Sequence, residues 1–446
     1  NTLYLPEIRE MLADQNAAEL GEFCTALHPA RTAEYMEGLT AAECWEVLRH
    51  TSPAMRANIF SYLDLDKQVQ VIETVDRGEI VHLVIDLAPD ERVDILERVD
   101  PLIRDQILTL LPAEDRRNIL RLSTYPEGTA GSMMTTQFAR LSEAWTVNQA
   151  LDELRRQKED HETIYYLYVV DEGDHLRGLI SLRELVFAQP NARIGALMER
   201  AVVQVDVIDD QEEVANKMAQ YDFLAIPVVD HERHLVGIVT YDDVMDVVRE
   251  EATEDAQRSA AIEPLSEGYL ETPLLSLTWK RGLWLVVLFF VSLGTAWTLG
   301  RYEATVAAVP WLVFFIPLVI STGGNSGGQS AALIINALST GDITLRDWFR
   351  VVKRELLSGL LLGGILASIG FLAALTAAPN LAGAFVLPLT VILVVTSGTL
   401  TGSLLPLLFH RLGWDPALMS NPMVACIIDF LGIVIYLTVA ICIVRP

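Results

Sequence analysis

One carboxylate lies where carboxylates are costly. Asp429 is the only Asp, Glu, Lys or Arg between residues 416 and 444, inside the apolar run Cys426-Ile427-Ile428-Asp429-Phe430-Leu431-Gly432. An ionised side chain at mid-bilayer costs about 2.5–3.5 kcal/mol on insertion scales, and acids that persist there mark ion paths. The structural alternative is a neutral Asp hydrogen-bonded to a neighbouring helix. A second polar feature is Ser321-Thr322-Gly323-Gly324-Asn325-Ser326-Gly327-Gly328-Gln329-Ser330. Its glycines permit close backbone approach, and its hydroxyls and amides offer oxygens to an ion or its water shell. Irregular backbone at that depth is tolerated only against protein or a wet cavity; plain small-residue helix packing is the other reading. The third feature is Ser420-Asn421-Pro422, where the proline can simply mark a helix start. Asn421 precedes Asp429 by eight residues, about 12 Å along a helix, so both can face one pore.

A different chemistry gathers upstream. Asp206, Asp209, Asp210, Glu212, Glu213, Asp222, Asp242, Asp243, Asp246, Glu250, Glu251, Glu254 and Asp255 crowd one stretch. On a helix over about 242–262, Asp243, Asp246, Glu250 and Glu254 share a face. That face repels itself unless something neutralises it, and oxygen-rich clusters suit Mg²⁺ or Ca²⁺ rather than zinc. A solvated acidic surface is the alternative. Cys24, Cys44, Cys426 and Cys442 form no CxxC pair, so neither a disulfide framework nor a zinc site is expected.

The elements that position these groups follow from a split in composition. Of 446 residues, the first 270 hold 52 acids against 24 bases, a net of −28, and the last 176 hold 7 against 9. The acidic part excludes nucleic acid as partner, because phosphate binding needs clustered Lys and Arg. Residues 282–300, 304–341 and 356–410 lack Asp, Glu, Lys and Arg altogether. With the 416–444 run they make five spans, at about 281–300, 305–335, 355–377, 384–409 and 419–444, in a membrane domain over 271–446. Lys280, Arg281, Arg346, Arg350, Lys353, Arg354 and Arg411 then fall on one side and only Arg301 and Arg445 on the other. The positive-inside rule places the N-terminus in the cytoplasm and the C-terminus outside. The first residues lack a signal-peptide pattern, so the acidic part is expected to stay cytoplasmic in a bacterial inner membrane.

Residues 128–250 contain a repeat. Val169–Leu185 matches Val228–Val244 at an offset of 59. Each copy reads strand, polar turn, strand, then a helix capped by Ser181 or Thr240, and each follows an amphipathic helix, at 147–158 and 211–220. Residues 1–125 show no strand periodicity. Short amphipathic runs are broken at Pro29, Pro53, Pro89, Pro101 and Pro112, which points to stacked short helices in a superhelix.

The repeat resembles a CBS-domain pair, with Glu184 in the first copy where the second has Asp243. Such pairs often bind adenine nucleotides such as ATP, and the resemblance implies contacts from Tyr166, Arg183, Phe223 and Asp243. The whole order of segments, together with the GGNSGGQS and SNPMVACIIDFLG runs, resembles the MgtE family of Mg²⁺ channels. The implied fold is multidomain: an α-helical superhelical N-domain (1–126), an α/β CBS pair (about 127–190 and 191–250), an acidic, plug-like connecting helix and linker (242–270), and an all-α membrane domain of five transmembrane helices. The resemblance also implies a homodimer in the lipid bilayer, with one pore lined by the second and fifth spans. Asp429 matches the family's pore aspartate, and Asn325 and Asn421 fall in its pore motifs. Asp90, Asp94, Asp210, Glu212, Asp222, Asp243, Asp246, Glu251, Glu254, Asp255 and Asp415 correspond to its regulatory Mg²⁺ sites. Gly328 stands where the family pattern has Asn, which removes an amide beside the pore.

Competing readings are weaker. Gly324-Asn325-Ser326-Gly327-Gly328 satisfies GxSxG, but the only histidine of the membrane half is His410, beside Arg411 at its edge, so a serine triad has no base. HExxH and P-loop patterns are missing. An anion path would want Arg or Lys within the spans. The nearest alternative is the same architecture passing Co²⁺, Mn²⁺ or Zn²⁺.

Overall fold

Prolines and short polar side chains start the N-terminal helices. The computed structural model describes residues 4–156, 161–265, 268–270, 272–418 and 420–444. Ser266, Glu267, Met419 and Arg445, on which the linker, the last span and the charge tally draw, lie outside them, as do residues 157–158 of the first amphipathic helix. Among the described residues, ten helices of eight to ten residues run from Leu5–Ala13 to Ala113–Leu122. Pro29, Pro53, Pro89 and Pro101 each open one, at a position whose N–H has no intrahelical partner anyway. Ser52 and Asp100 accept the backbone N–H of Met55 and Leu102 at 3.4 and 2.8 Å, and Thr40 with Glu43 forms a capping box. Each helix from Pro29 onward packs against its next-but-one neighbour, the pattern of a superhelical stack.

The chain divides into two units, residues 1–249 and 250–446. In the first, the repeat forms two three-stranded sheets. β1 (Phe138–Ser142) pairs in parallel with β2 (Thr163–Val170), which pairs antiparallel with β3 (Leu176–Ser181). β4 (Val205–Asp206), β5 (Ala225–Val229) and β6 (Leu235–Thr240) repeat the order. The parallel crossovers are the helices Val147–Arg156 and Gln211–Tyr221. β5 is buried along its whole length, as expected of an uninterrupted apolar run. One apolar core continues from the N-terminal helices into the second repeat through Val205, Val214, Ile226 and Val239, whereas the first repeat closes its own core around Leu141, Leu167 and Ile180. After β6 the connecting helix, Tyr241–Ser259, carries the chain into the second unit.

The second unit is helical. Leu274–Arg301, Leu345–Ala377, Leu381–Arg411 and Asn421–Val444 are, among the described residues, long and apolar enough to cross a membrane. A fifth long helix, Ile316–Ser339, follows the 3₁₀ turn Pro310–Phe315. Its 24 residues reach about 36 Å, enough for a bilayer core, but its polar residues dilute its hydropathy. The glycine-rich run is thus continuous helix rather than irregular backbone. Each helical glycine costs about 1 kcal/mol against alanine, and packing explains why they are kept. A Cβ on Gly323 would lie 2.4 Å from Val394 Cγ1, and one on Gly327 2.9 Å from Val424 Cγ1. From the neighbouring helix Val386–Arg411, a Cβ on Gly402 would stand 2.1 Å from the Gly327 carbonyl oxygen. The first two are valine side chains seated on a glycine backbone and the third is a backbone-to-backbone approach, which a Cβ would block.

Candidate functional site

The polar helix Ile316–Ser339 has two faces. Gly323, Gly324, Ser326, Gly327, Ser330 and Ala331 are buried, while Ser321, Asn325, Gln329 and Ala332 are exposed. The exposed set recurs every three or four residues and so forms one stripe. That stripe, with Asn421, Pro422, Ala425 and Asp429 of the last helix, lines one cavity of 680 Å³. The three expected pore residues, Asn325, Asn421 and Asp429, are therefore brought together. Gly324 and Gly328 face the last helix: a Cβ on Gly324 would meet Ala425 Cβ at 3.3 Å and lie 3.7 Å from Asp429 Oδ1, and one on Gly328 would lie 3.6 Å from Asn421 Oδ1, both oxygens at ordinary contact distance. Asn325 Nδ2 donates to Ser321 Oγ at 3.3 Å, which leaves its carbonyl oxygen free to accept. At about 30 Å³ per water, the cavity holds an ion together with its hydration shell.

The acidic residues fall into three separate places. Asp90 and Asp94 stand one turn apart on the helix Pro89–Arg98, Asp94 exposed. Asp90 Oδ1 is buried and accepts no hydrogen bond. Burial pushes the Asp90 carboxyl well above its usual range, and the charges of Asp243 and Glu91 push it further. Burial likewise raises Glu91 to about 7. Asp243, in the first turn of the connecting helix, is pushed up to about 7 by burial, against the opposing pull of the Thr240 hydroxyl. Glu162, at the approach to β2, is raised by burial and by Asp242. Carboxylates from three segments thus converge, and the base whose charge reaches Asp90, Arg92, is itself paired with Asp115 at 3.0 Å. An orphaned buried oxygen within such a group fits a hard cation. Among the described residues no three His, Cys, Asp or Glu side chains yet stand close enough to enclose one.

The second place is the helix Gln211–Tyr221. Asp210 caps its start, accepting the Glu212 N–H at 2.9 Å. Asp222 ends it in the left-handed conformation, φ 54°. Eleven helical residues separate the two by about 16 Å, so one chain does not bring Asp210 and Glu212 together with Asp222. The third place belongs to the second unit. Arg258 pairs with Glu254 on its own helix and with Asp415, 157 residues away. Asp415 also caps the turn before the last helix, accepting the Ala417 N–H at 2.7 Å. Burial first, then Asp415 and Glu251, raise the Asp255 carboxyl. Asp246 is exposed.

In the CBS-like repeat, Tyr166 and Phe223 meet edge to face at 6.3 Å, and Tyr221 stacks on Phe223 at 5.5 Å. All three line a cavity of 350 Å³ with Leu179, Glu199 and Pro227. Arg183 is exposed on the helix Leu182–Phe187 and is not among the residues lining it. Sequence reasoning missed Glu91, Glu162, Tyr221 and Arg258. Arg258 carried a faint signal as one of two bases in a helix of acids; its partner lies too far along the chain to be foreseen.

Residues 316–439 match the divalent cation transporter family MgtE, residues 27–128 its intracellular N domain, and residues 130–191 and 194–250 the CBS domain. The chain is 39% identical over 446 residues to the magnesium transporter MgtE of Thermus thermophilus, covering 97% of each. It is 33% identical to the magnesium transporter MgtE of Enterococcus faecalis, covering 91% of this chain and 98% of that one. Among solved structures, the cytosolic domain of the Mg²⁺ channel MgtE in complex with ATP is similar at 37% identity and TM-score 0.52, covering 54% of this chain and 98% of that one. The soluble part of a magnesium transporter is similar at 34% identity and the same TM-score, covering 55% of this chain and 97% of that one.

Proposed function

The chain belongs to the MgtE family of magnesium transporters, and from that premise we propose that Mg²⁺ crosses the membrane along the cavity between the polar helix and the last helix, with Asp429 as its central site. Members of this family are transporters, not enzymes. The observation that carries the reading is the meeting of Asp429, Asn325 and Asn421 in one cavity. Mg²⁺ dehydrates reluctantly and keeps several waters, so a wide, acceptor-lined cavity suits it better than a tight cage. One chain supplies one carboxylate. A homodimer sharing a single pore brings a second Asp429 across the axis and doubles the charge without stripping water. In this reading the polar helix is the second of five spans, the N-terminus is cytoplasmic and the C-terminus outside.

Cytosolic Mg²⁺ gates the pore. At low Mg²⁺ the carboxylates around Asp90 and Asp243 repel, as do those of Glu251, Asp255 and Asp415. Asp210, Glu212 and Asp222, set apart within one chain, serve a site completed by a second copy. Bound ions bridge these groups when Mg²⁺ is plentiful and favour the closed state through their differential affinity for it. The aromatic cavity of Tyr166, Tyr221 and Phe223 takes an adenine base, as the ATP complex of a similar cytosolic domain supports.

Reconstituted wild type and Asp429→Ala, assayed for Mg²⁺ uptake with lumenal dye and buffered internal Mg²⁺, test the reading. Uptake should fall at least tenfold in the variant, about 1.4 kcal/mol or more of lost ion stabilisation. In wild type, high internal Mg²⁺ should suppress it. Equal uptake in the variant removes Asp429 as the central site.

A further inference from the structure

The cavity-lining stripe lies on one side of the polar helix, and what holds that helix at its angle is a separate question. Its rear is glycine against glycine: a Cβ on Gly398 would stand 2.7 Å from the Gly323 carbonyl oxygen, and one on Gly402 2.1 Å from that of Gly327. Such a seam lets backbones approach, and the side chains that meet Gly323 and Gly327 beside it, Val394, Ile428 and Val424, are apolar and offer no directional bond to fix rotation or sliding. Among the described residues, one side-chain hydrogen bond ties the polar helix to another helix. Ser330 Oγ donates to Glu355 Oε2 at 2.6 Å, the length of a hydroxyl given to a carboxylate. Ser330 is 5% exposed. Glu355 stands in the helix Trp348–Ala377, and its own carbonyl oxygen accepts the Thr399 hydroxyl of the Val386–Arg411 helix at 3.1 Å. Glu355 therefore joins three helices at one level. An acid kept beside a membrane-spanning core has a task, and the ion path just proposed leaves this one unused.

We propose that Glu355 is a positioning residue for the ion path: through Ser330 it fixes the rotation of the polar helix and so the angle at which Asn325 and Gln329 face the ion. This rests on the reading of the cavity as the path. Ser330 follows Gln329 by about 100° and Asn325 by about 140° around the helix, so a bond at Ser330 sets the bearing of both. A turn of about 20° moves a side-chain tip 6 Å from the axis by about 2 Å, enough to break an acceptor ring around a hydrated ion.

The test uses the full chain in liposomes, with initial uptake of Mg²⁺ and of Ca²⁺ measured for wild type, Glu355→Ala, Glu355→Gln, Ser330→Ala, the Glu355→Ala/Ser330→Ala double variant, and Asp429→Asn. Size-exclusion profiles check that each variant is folded. Positioning predicts that Glu355→Ala and Ser330→Ala each shift the Mg²⁺:Ca²⁺ uptake ratio by about fivefold or more, and that the double variant shifts it no further than either alone. Glu355→Gln keeps an acceptor for Ser330 and should stay within about twofold of wild type. A role in stability alone would scale both fluxes together and leave the ratio unmoved. An unmoved ratio in Glu355→Ala, additive effects in the double variant, or Glu355→Gln failing while Ser330→Ala is normal would each overturn the proposal. If Glu355→Ala does not fold, Ser330→Ala and Glu355→Gln decide. Loss of transport in Asp429→Asn with a normal ratio in Glu355→Ala sinks only this inference; normal transport in Asp429→Asn sinks the path itself.

Discussion

Protonation at Asp90, Glu91 and Asp243 links pH to local stability. Glu91 and Asp243 move from ordinary values of 4.5 and 3.8 to about 7, and Asp90 moves the same way. The cause is burial first, with repulsion between neighbouring carboxylates adding to it. Folded-state values above unfolded ones mean that the folded chain holds these protons more tightly. The stability they contribute is complete below the ordinary values and is lost as pH rises through about 7. Without divalent cations, the segments around residues 85–96 and 238–246 should therefore exchange amide hydrogens faster, relative to intrinsic rates, at pH 8 than at pH 6. Mg²⁺ bound there, as proposed, would favour the ionised carboxylates and should erase the difference at pH 8. Hydrogen–deuterium exchange on the whole chain, in chelator and in Mg²⁺, reads this directly. Protection that ignores pH in chelator would mean that these groups do not set local stability.

Elements carry the next level of control. The connecting helix ends in a three-membered ion cluster, Glu254–Arg258–Asp415, beside Glu251 and Asp255. Arg258 is a cation supplied by the chain itself, and its planar fork suits two carboxylates at once. It neutralises Asp415 when no Mg²⁺ is present, so part of the contact between this helix and the turn before the last helix survives at low Mg²⁺. Arg258→Ala leaves four acids together. A part-buried pair of this kind contributes about 1 kcal/mol, a factor of about five in population. Flux at low internal Mg²⁺ should rise in this variant by up to that factor, and suppression should depend more steeply on Mg²⁺. Uptake curves over internal Mg²⁺ check both; lower or unchanged basal flux would show that the pair does not hold the closed state. The polar helix illustrates the same level differently. Its glycines divide by direction, Gly323 and Gly327 into helix packing, Gly324 and Gly328 toward the facing Asp429 and Asn421.

For the whole molecule, a net of −28 over the first 270 residues predicts that divalent cations favour the compact state. Each site that binds only the folded, closed form adds about 2.7 kcal/mol at a hundredfold excess over its dissociation constant. Millimolar Mg²⁺ should raise the unfolding temperature of the solubilised chain well beyond what Na⁺ at equal ionic strength achieves, since screening alone is generic. An equal shift by both salts would reduce the acidic surface to a solvated one. Much of this molecule was legible in one dimension. Charge-free runs reveal membrane helices because an unpaired charge is costly in lipid. Prolines and caps reveal the N-terminal helices because helix starts leave N–H groups unpaired. The offset of 59 reveals the two sheets because a repeated unit repeats its apolar pattern. Asp429, Asn325 and Asn421 stand out for a related reason, as polar groups against an apolar background, and the fold brings the three to one cavity. The tertiary structure alone decided which acids meet. Asp210 and Asp222 are near in sequence yet cap opposite ends of a helix, while Asp90 finds Asp243, and Arg258 finds Asp415, across long stretches of chain. It also showed that the glycine-rich run is helix and that Glu355 grips it through Ser330. Local composition reports what each segment tolerates, whereas long-range electrostatics and backbone approach depend on which segments the fold brings within a few ångströms.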